Sequence, residues 1–405
     1  MIRSNPLLGL VFAAVVATLY VEQAFSQDPG DQPPIRVNNP RTLDTWQLSA
    51  ERIAFGRCYK PSMVQLPDGE LLMVALCGEG VGSFDAATQE WIGLWRSYDG
   101  GRTWSERTRV TDLIGREQWL TCTSKGTLFA TCHILPYDAN NPDGYVHSYV
   151  HRSTDSGAIW ERTRIGPDGF PPRVWATTSR NIVELPDGTL LLGVAIYGTD
   201  VAYMWTSRDD GANWDKSAPT VKIGDYRGQP YKNRTHGFFD EDFIFRTESG
   251  KLLEFIRADC LSEIYFMKDG RTVPTGSDHV ERMLRCESTD NGRTWGEFRD
   301  HGDYGMMYPR IIRLEDGRLL MTFTQRGIFY PFGLQAVLSY DDGETWNFDS
   351  DRIIIEGKTP WGKVSGAGFG NTVQLADGAL VSCYTYRAAD NKTYLETVRW
   401  RLPDK

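Results

Sequence analysis

Beyond its first 26 residues the chain has no unbroken apolar run approaching ~18 residues, which argues against a membrane-spanning helix there. It also lacks an excess of basic charge. With 44 Lys and Arg against 53 Asp and Glu, the net charge of −9 leaves no basic stripe for nucleic acid or an anionic bilayer, so neither partner is predicted. The seven cysteines contain no Cys-x-x-Cys pair, which removes the close-spaced zinc and redox motifs. The acidic pairs sit mainly in turn motifs rather than at ligand spacing, and no metal or cofactor is predicted. Helical periodicity of useful length is missing throughout.

The amino end is the one strongly apolar stretch. Arg3, the run from Leu7 to Leu19 and the small residues Ala24 and Ser26 form the pattern of a secretory signal cleaved before Gln27. The expectation is therefore a secreted or periplasmic protein with no integral membrane segment in the mature chain. Residues 27–43, with four prolines between Asp28 and Pro40, read as a flexible tether, and the fold is expected over 44–405.

What fills that length is repetition. Ser-x-Asp-x-Gly-x-x-Trp occurs five times, at Ser97 to Trp104, Ser153 to Trp160, Ser207 to Trp214, Ser288 to Trp295 and Ser339 to Trp346. A second motif, centred on Asp-Gly between apolar runs, places glycines at 69, 126, 188, 250, 317 and 378, so six units follow one another. Asp-Gly between apolar runs is a tight hairpin signal, because glycine enters the positive-φ region that a side chain resists. The flanks, such as Met63-Val64 and Leu71 to Leu76, are short apolar runs expected of strands buried on both faces.

Four strands per unit and six units predict an all-β, six-bladed β-propeller. Within each Ser-x-Asp box the Asp is placed to accept amides of its own turn, the Gly supplies a special dihedral and the Trp buries surface against an adjoining blade. That is a structural staple and supplies no nucleophile. The last unit has no box and lacks an outer strand, which the segment around Thr45 to Phe55 is predicted to supply.

These repeats resemble the Asp-boxes, or BNR repeats, of the sialidase (neuraminidase) superfamily over nearly the whole mature chain. The resemblance implies a site at one end of the propeller axis and an exo-acting retaining glycosidase that removes a terminal anionic sugar such as sialic acid. Asp-boxes also occur in other glycosidases, lyases and non-enzymatic receptors. Family sialidases hold the substrate carboxylate with three arginines, use a tyrosine nucleophile assisted by a glutamate, and carry an aspartate as acid/base. Guanidinium forks suit a planar carboxylate, and a neutral nucleophile is not repelled by an anionic substrate.

Carried over residue by residue, the resemblance puts Arg57 near the first arginine, displaced by two residues, and Glu79 or Asp85 at the acid/base. Asp242, eight residues before Gly250, falls where the glutamate stands, with Asp240 and Glu241 as adjoining alternatives. Arg257 falls on the second arginine. In the sixth unit the usual Tyr-Ser reads Phe369-Gly370 and the Leu-Tyr-Glu close reads Cys383-Tyr384-Thr385.

Equivalent strand ends converge on one rim in a propeller, which adds His133, Tyr197, Arg326 and Arg387, and the loops opening the units add Arg310. Tyr386 or Tyr197 would supply the phenolic nucleophile. The leading expectation is hydrolysis of a terminal acidic sugar from a glycan partner. A glycan-binding propeller without catalysis and a uronate lyase, with His133 and Tyr197 as its pair, stay open.

Overall fold

The computed structural model describes residues 33–78, 90–135, 141, 144, 146–165, 176–196, 199–231, 238–258, 265–266, 272–273, 282–326, 331–360 and 367–403. The expected signal segment, Glu79, Asp85 and Tyr197 lie outside them. Among the described residues all regular structure is strand, and no helix is long and apolar enough to cross a membrane.

Six antiparallel sheets follow one another along the chain, one per repeat. Blade 1 runs Cys58–Gln65, Leu71–Cys77, Trp91–Ser97 and Thr108–Val110 from axis to periphery, and blade 2 runs Arg116–Cys122, Leu128–Ile134, His147–Ser153 and Glu161–Ile165. Blade 3 has an interrupted innermost strand, Ala176–Thr178 then Val183–Glu184, followed by Leu190–Ile196 and Ala202–Ser207. Blade 4 comprises Phe243–Arg246, Leu252–Ala258, Arg282–Ser288 and Arg299–His301. Blade 5 comprises Met306–Arg313, Leu319–Gln325, Gly333–Ser339 and Arg352–Ile354. Blade 6 comprises Gly370–Gln374, Leu380–Arg387 and Thr393–Trp400, closed on the outside by Ala50–Gly56.

That last pairing is the closure foreseen for the segment around Thr45 to Phe55. Ala50 faces Trp400 and Ile53 faces Thr397, so a strand from before the first blade completes the sixth. Arg52 fastens the seam: buried, it reaches Glu396 at 3.3 Å and the Ile355 carbonyl at 3.1 Å.

The tether read over 27–43 requires correction at its end. Ile35–Asn38 pairs with Arg352–Ile354 and adds a fifth strand to blade 5. Ile35 and Val37 are buried while Arg36 and Asn38 are exposed, the alternation of an edge strand with one packed face. The Asp351 carboxylate then accepts the amides of Arg41 at 2.7 Å and Leu43 at 3.0 Å. The proline content concealed this short alternation.

The boxes behave as staples. Ser97 Oγ accepts the Gly101 amide at 2.8 Å, and Asp99 accepts the amides of Arg102 and Thr103 at 3.1 and 2.8 Å. Each box glycine lies against the preceding blade. A methyl group on Gly157 would meet Leu72, one on Gly211 would meet Phe129 at 2.3 Å, and one on Gly343 would meet Leu253. The box therefore fixes blade-to-blade distance as well as its own turn.

Candidate functional site on the propeller axis

The innermost strands carry a recurrent irregularity. Their register slips between Tyr59 and Ser62, between Arg116 and Trp119, and between Met307 and Arg310. An extra residue in one strand of a pair bends the strand and re-aims a side chain. The extra residues are Lys60, Glu117 and Tyr308, with φ of 47°, 60° and 51°, and Glu241 repeats the conformation at 51° just before the blade 4 strand. Holding a non-glycine residue in this left-handed region costs about 1 kcal/mol or more, so four repeats of it point to a function for the side chains.

All four stand nine residues before the hairpin glycine of their own unit, at Gly69, Gly126, Gly317 and Gly250 respectively. Phe369 holds the same place before Gly378. In blade 3 that place is Ser179, and Arg180 beside it fills the axis. One side chain from every blade thus meets at the centre.

The cluster is buried and tightly paired. The Tyr308 phenol donates to Glu241 and lies 3.1 Å from Glu117 Oε2. Lys60 Nζ donates to the Tyr308 oxygen at 2.7 Å, pairs with Glu117 and lies 3.8 Å from Glu241. Arg180 Nη2 reaches Glu117 at 3.0 Å, Glu241 at 3.3 Å and the Tyr308 oxygen at 3.4 Å. Arg257, at the end of the second strand of blade 4, pairs with the other oxygen of Glu241. The Phe369 ring receives Lys60 at 4.4 Å and Arg326 at 4.8 Å from its centroid. A recess beside the cluster is lined by Thr131, Cys132, His133, Thr178, Arg180 and Asp240, among others.

Protonation follows from this packing. Burial, reinforced by Glu117 and Glu241, pushes the Tyr308 phenol well above its ordinary pKa, so it is protonated near neutrality. Burial works to raise Glu117 as well, yet the charges of Lys60 and Arg180 outweigh it and hold that carboxyl ionised. Burial lowers Lys60 to about 8 against the pull of the same two glutamates. Burial also lowers His133, leaving a neutral imidazole. The arrangement joins a neutral phenol to two carboxylates within a ring of cations.

The sequence candidates divide. Arg257, Arg326 and His133 stand in or beside the cluster. Asp242 does not: the left-handed turn at Glu241 sends that side chain to the axis and the next one into the blade. There Asp242 Oδ1 accepts the Arg180 amide at 3.2 Å, and Oδ2 has no hydrogen-bond partner among the described residues. Arg310 lies on the axis but is engaged elsewhere, over Trp119 at 5.4 Å and donating to the Leu120 carbonyl of blade 2.

Three more candidates turn outward. Arg57 is exposed and faces Asp390 and Tyr394 of blade 6. Arg387 donates to Asn391 at 3.1 Å within its own hairpin. Tyr386 stacks on Tyr394 with ring centroids 5.7 Å apart, its phenol pushed up to about 12 by burial and Glu396. A hydrogen-bonded Tyr–Glu pair on the axis is drawn from blades 5 and 4, as Tyr308 and Glu241. Lys60, Glu117, Arg180 and Tyr308 escaped the sequence reading, although their common distance from the hairpin glycine marks all but Arg180.

The BNR repeat-like domain family matches residues 35–321. No functionally curated protein sequence matches the chain significantly. Among solved structures, a protein of unknown function from Dyadobacter fermentans is 17% identical with a TM-score of 0.62, covering 93% of this chain and 100% of its own. The GH93 α-L-arabinofuranosidase of Fusarium graminearum is 14% identical with a TM-score of 0.54, covering 91% of this chain and 97% of its own. The Penicillium chrysogenum α-L-arabinanase, complexed with arabinobiose, is 14% identical with a TM-score of 0.51 over 91% and 98%. At these identities the likeness is one of fold. The family match spans most of the chain, and the protein belongs to the BNR repeat-like domain family.

Proposed function

We propose that the protein is an exported glycoside hydrolase acting on a terminal acidic sugar, with Tyr308 as nucleophile and Glu241 as its base. The observation that carries this reading is the Tyr308 phenol hydrogen-bonded to Glu241 inside a ring of Lys60, Arg180 and Arg257. Two solved structures of similar fold, an arabinanase and an arabinofuranosidase each complexed with arabinobiose, support action on glycans in general. The cations drawn from several blades favour an anionic sugar.

In this mechanism the phenol oxygen attacks the anomeric carbon as its proton passes to Glu241. A glycosyl–tyrosine intermediate forms and water then releases the sugar. The leaving oxygen takes a proton from a carboxylic acid, for which Asp240 in the recess and, from the sequence, Glu79 and Asp85 of the first unit are the candidates. Lys60, Arg180, Arg257 and Arg326 hold the substrate carboxylate. Export rests on the signal pattern of residues 1–26.

Purified protein offered aryl glycosides of sialic acid and of uronic acids, with neutral arabinosides as controls, tests the reading. Release of a reducing acidic sugar is expected. An unsaturated, ultraviolet-absorbing product would replace hydrolysis with lyase chemistry. Saturable glycan binding without product would leave a binding module.

A further inference from the structure

Two sulfurs in blade 1 face one another in a way the glycan reading does not use. Cys58 opens the innermost strand and Cys77 closes the second, and the two are direct partners across the antiparallel ladder. Their Sγ atoms lie 2.9 Å apart, and both residues are fully buried. Facing residues on antiparallel strands have Cα atoms about 4.5–5.5 Å apart, inside the window of about 4.4–6.8 Å that a disulfide spans. The adjacent strand leaves room for the sulfurs, because a methyl group on Gly93 would lie 2.8 Å from Cys77 Sγ. In this structure both are thiols.

We propose that Cys58 and Cys77 are a disulfide-forming pair, joined as the chain folds by exchange with a small disulfide oxidant of the glutathione type. The two thiols are not equivalent. The hydrogen bond from Cys58, helped by the charge of Arg107, holds Cys77 below its ordinary pKa, while that same contact and burial push Cys58 up. Before the blade packs that difference does not exist, and one of the two, as a thiolate, attacks first. It displaces one thiol from the oxidant and forms a mixed disulfide. The other loses its proton, attacks the first sulfur and expels the second thiol. Both cysteine sulfurs are oxidised, one oxidant disulfide is reduced to two thiols, and the two protons leave with them.

Burial sets the timing. Neither sulfur is reachable in the finished fold, so the bond closes before the blade packs and resists reductants afterwards. It ties the innermost strand to the second two residues from Lys60, which secures the bulge that aims Lys60 at the axis.

The test is refolding of the full chain, reduced and denatured, in a mixture of reduced and oxidised glutathione. It is followed by alkylation in denaturant and peptide mass analysis without reduction. The expected result is a linked pair of peptides carrying Cys58 and Cys77, lighter by two hydrogens than the free pair. The oxidised protein should melt higher than the same protein refolded under reductant, whereas Cys58→Ser/Cys77→Ser should melt alike in both. Recovery of Cys58 and Cys77 both alkylated, or of either joined to Cys383 or Cys260, overturns the proposal. This result is independent of any sugar assay.

Discussion

Glu241 and Asp242 are adjacent acids in one segment, yet one faces the axis and the other the interior of blade 4. Replacing Glu241 with Gln keeps the shape but removes the proposed proton acceptor for Tyr308, and should lower kcat by about 10²–10⁴-fold. Tyr308→Phe should do the same. Steady-state turnover of the acidic aryl glycoside checks both.

Asp242 predicts a different phenotype. Burial and the charge of Asp240 raise its pKa to about 8, so between about pH 4 and 8 the folded chain keeps a proton that the unfolded chain has lost. Its contribution to stability is complete below that window and is lost as pH rises through the folded value. The amide introduced by Asp242→Asn would retain an oxygen for the Arg180 backbone N–H and would not titrate. Thermal unfolding from pH 5 to 8 should show wild type losing several degrees relative to this variant; parallel curves would contradict the assignment.

At this scale the acid of blade 4 was legible to within one residue. Family spacing led to Asp242 because the resemblance counts eight residues to the glycine. The side chain that reaches the axis is the ninth, since a left-handed residue reverses facing. No local propensity distinguishes the two acids, and only the left-handed backbone at Glu241 does.

At the scale of the element, the bulge and the box divide the work in the repeats that carry both: one aims a side chain inward, the other sets the spacing between blades. Two glycines of blade 3 separate conformation from packing. Gly188 in the hairpin has φ +81° and open space around its Cβ position, whereas Gly211 in the box has φ +78° with Phe129 at 2.3 Å. Gly188→Ala should cost about 1 kcal/mol, from the dihedral alone. Gly211→Ala adds a collision between blades and should cost about 1–3 kcal/mol more. Urea denaturation of both variants measures the difference, and equal losses would deny the box its role in blade spacing.

The repeats were readable because both motifs are turns, whose residues are dictated by backbone geometry rather than by neighbours. The strands beside them followed from apolar runs. Ile35–Asn38 was not readable in the same way, because its value as a strand depends on a partner more than 300 residues away. The outward turn of Arg387 was equally hidden, since it depends on Asn391 across its own hairpin.

Across the whole molecule, the ring is closed by one strand from before blade 1, and Arg52 concentrates that closure. It is buried, as is Glu396, and Lys358 also reaches Glu396 at 2.5 Å. Arg52→Met leaves Glu396 with less compensation and should destabilise by about 3 kcal/mol, since breaking a buried pair strands a charge. Arg227→Met, which breaks an exposed pair with Asp300 at 2.9 Å, should cost about 1 kcal/mol or less. Comparable losses in urea denaturation would show that the seam is not where the ring is secured.

Closure also explains the site. Lys60, Glu117, Arg180, Glu241, Tyr308 and Phe369 are distant in sequence and meet only because six blades share one axis. The direct test is covalent trapping. A fluorinated acidic sugar with an activated leaving group should accumulate as a glycosyl adduct, and peptide mass analysis should place it on Tyr308. An adduct on Glu117 or Glu241, or no adduct with Tyr308→Phe turning over as fast as wild type, would contradict the account.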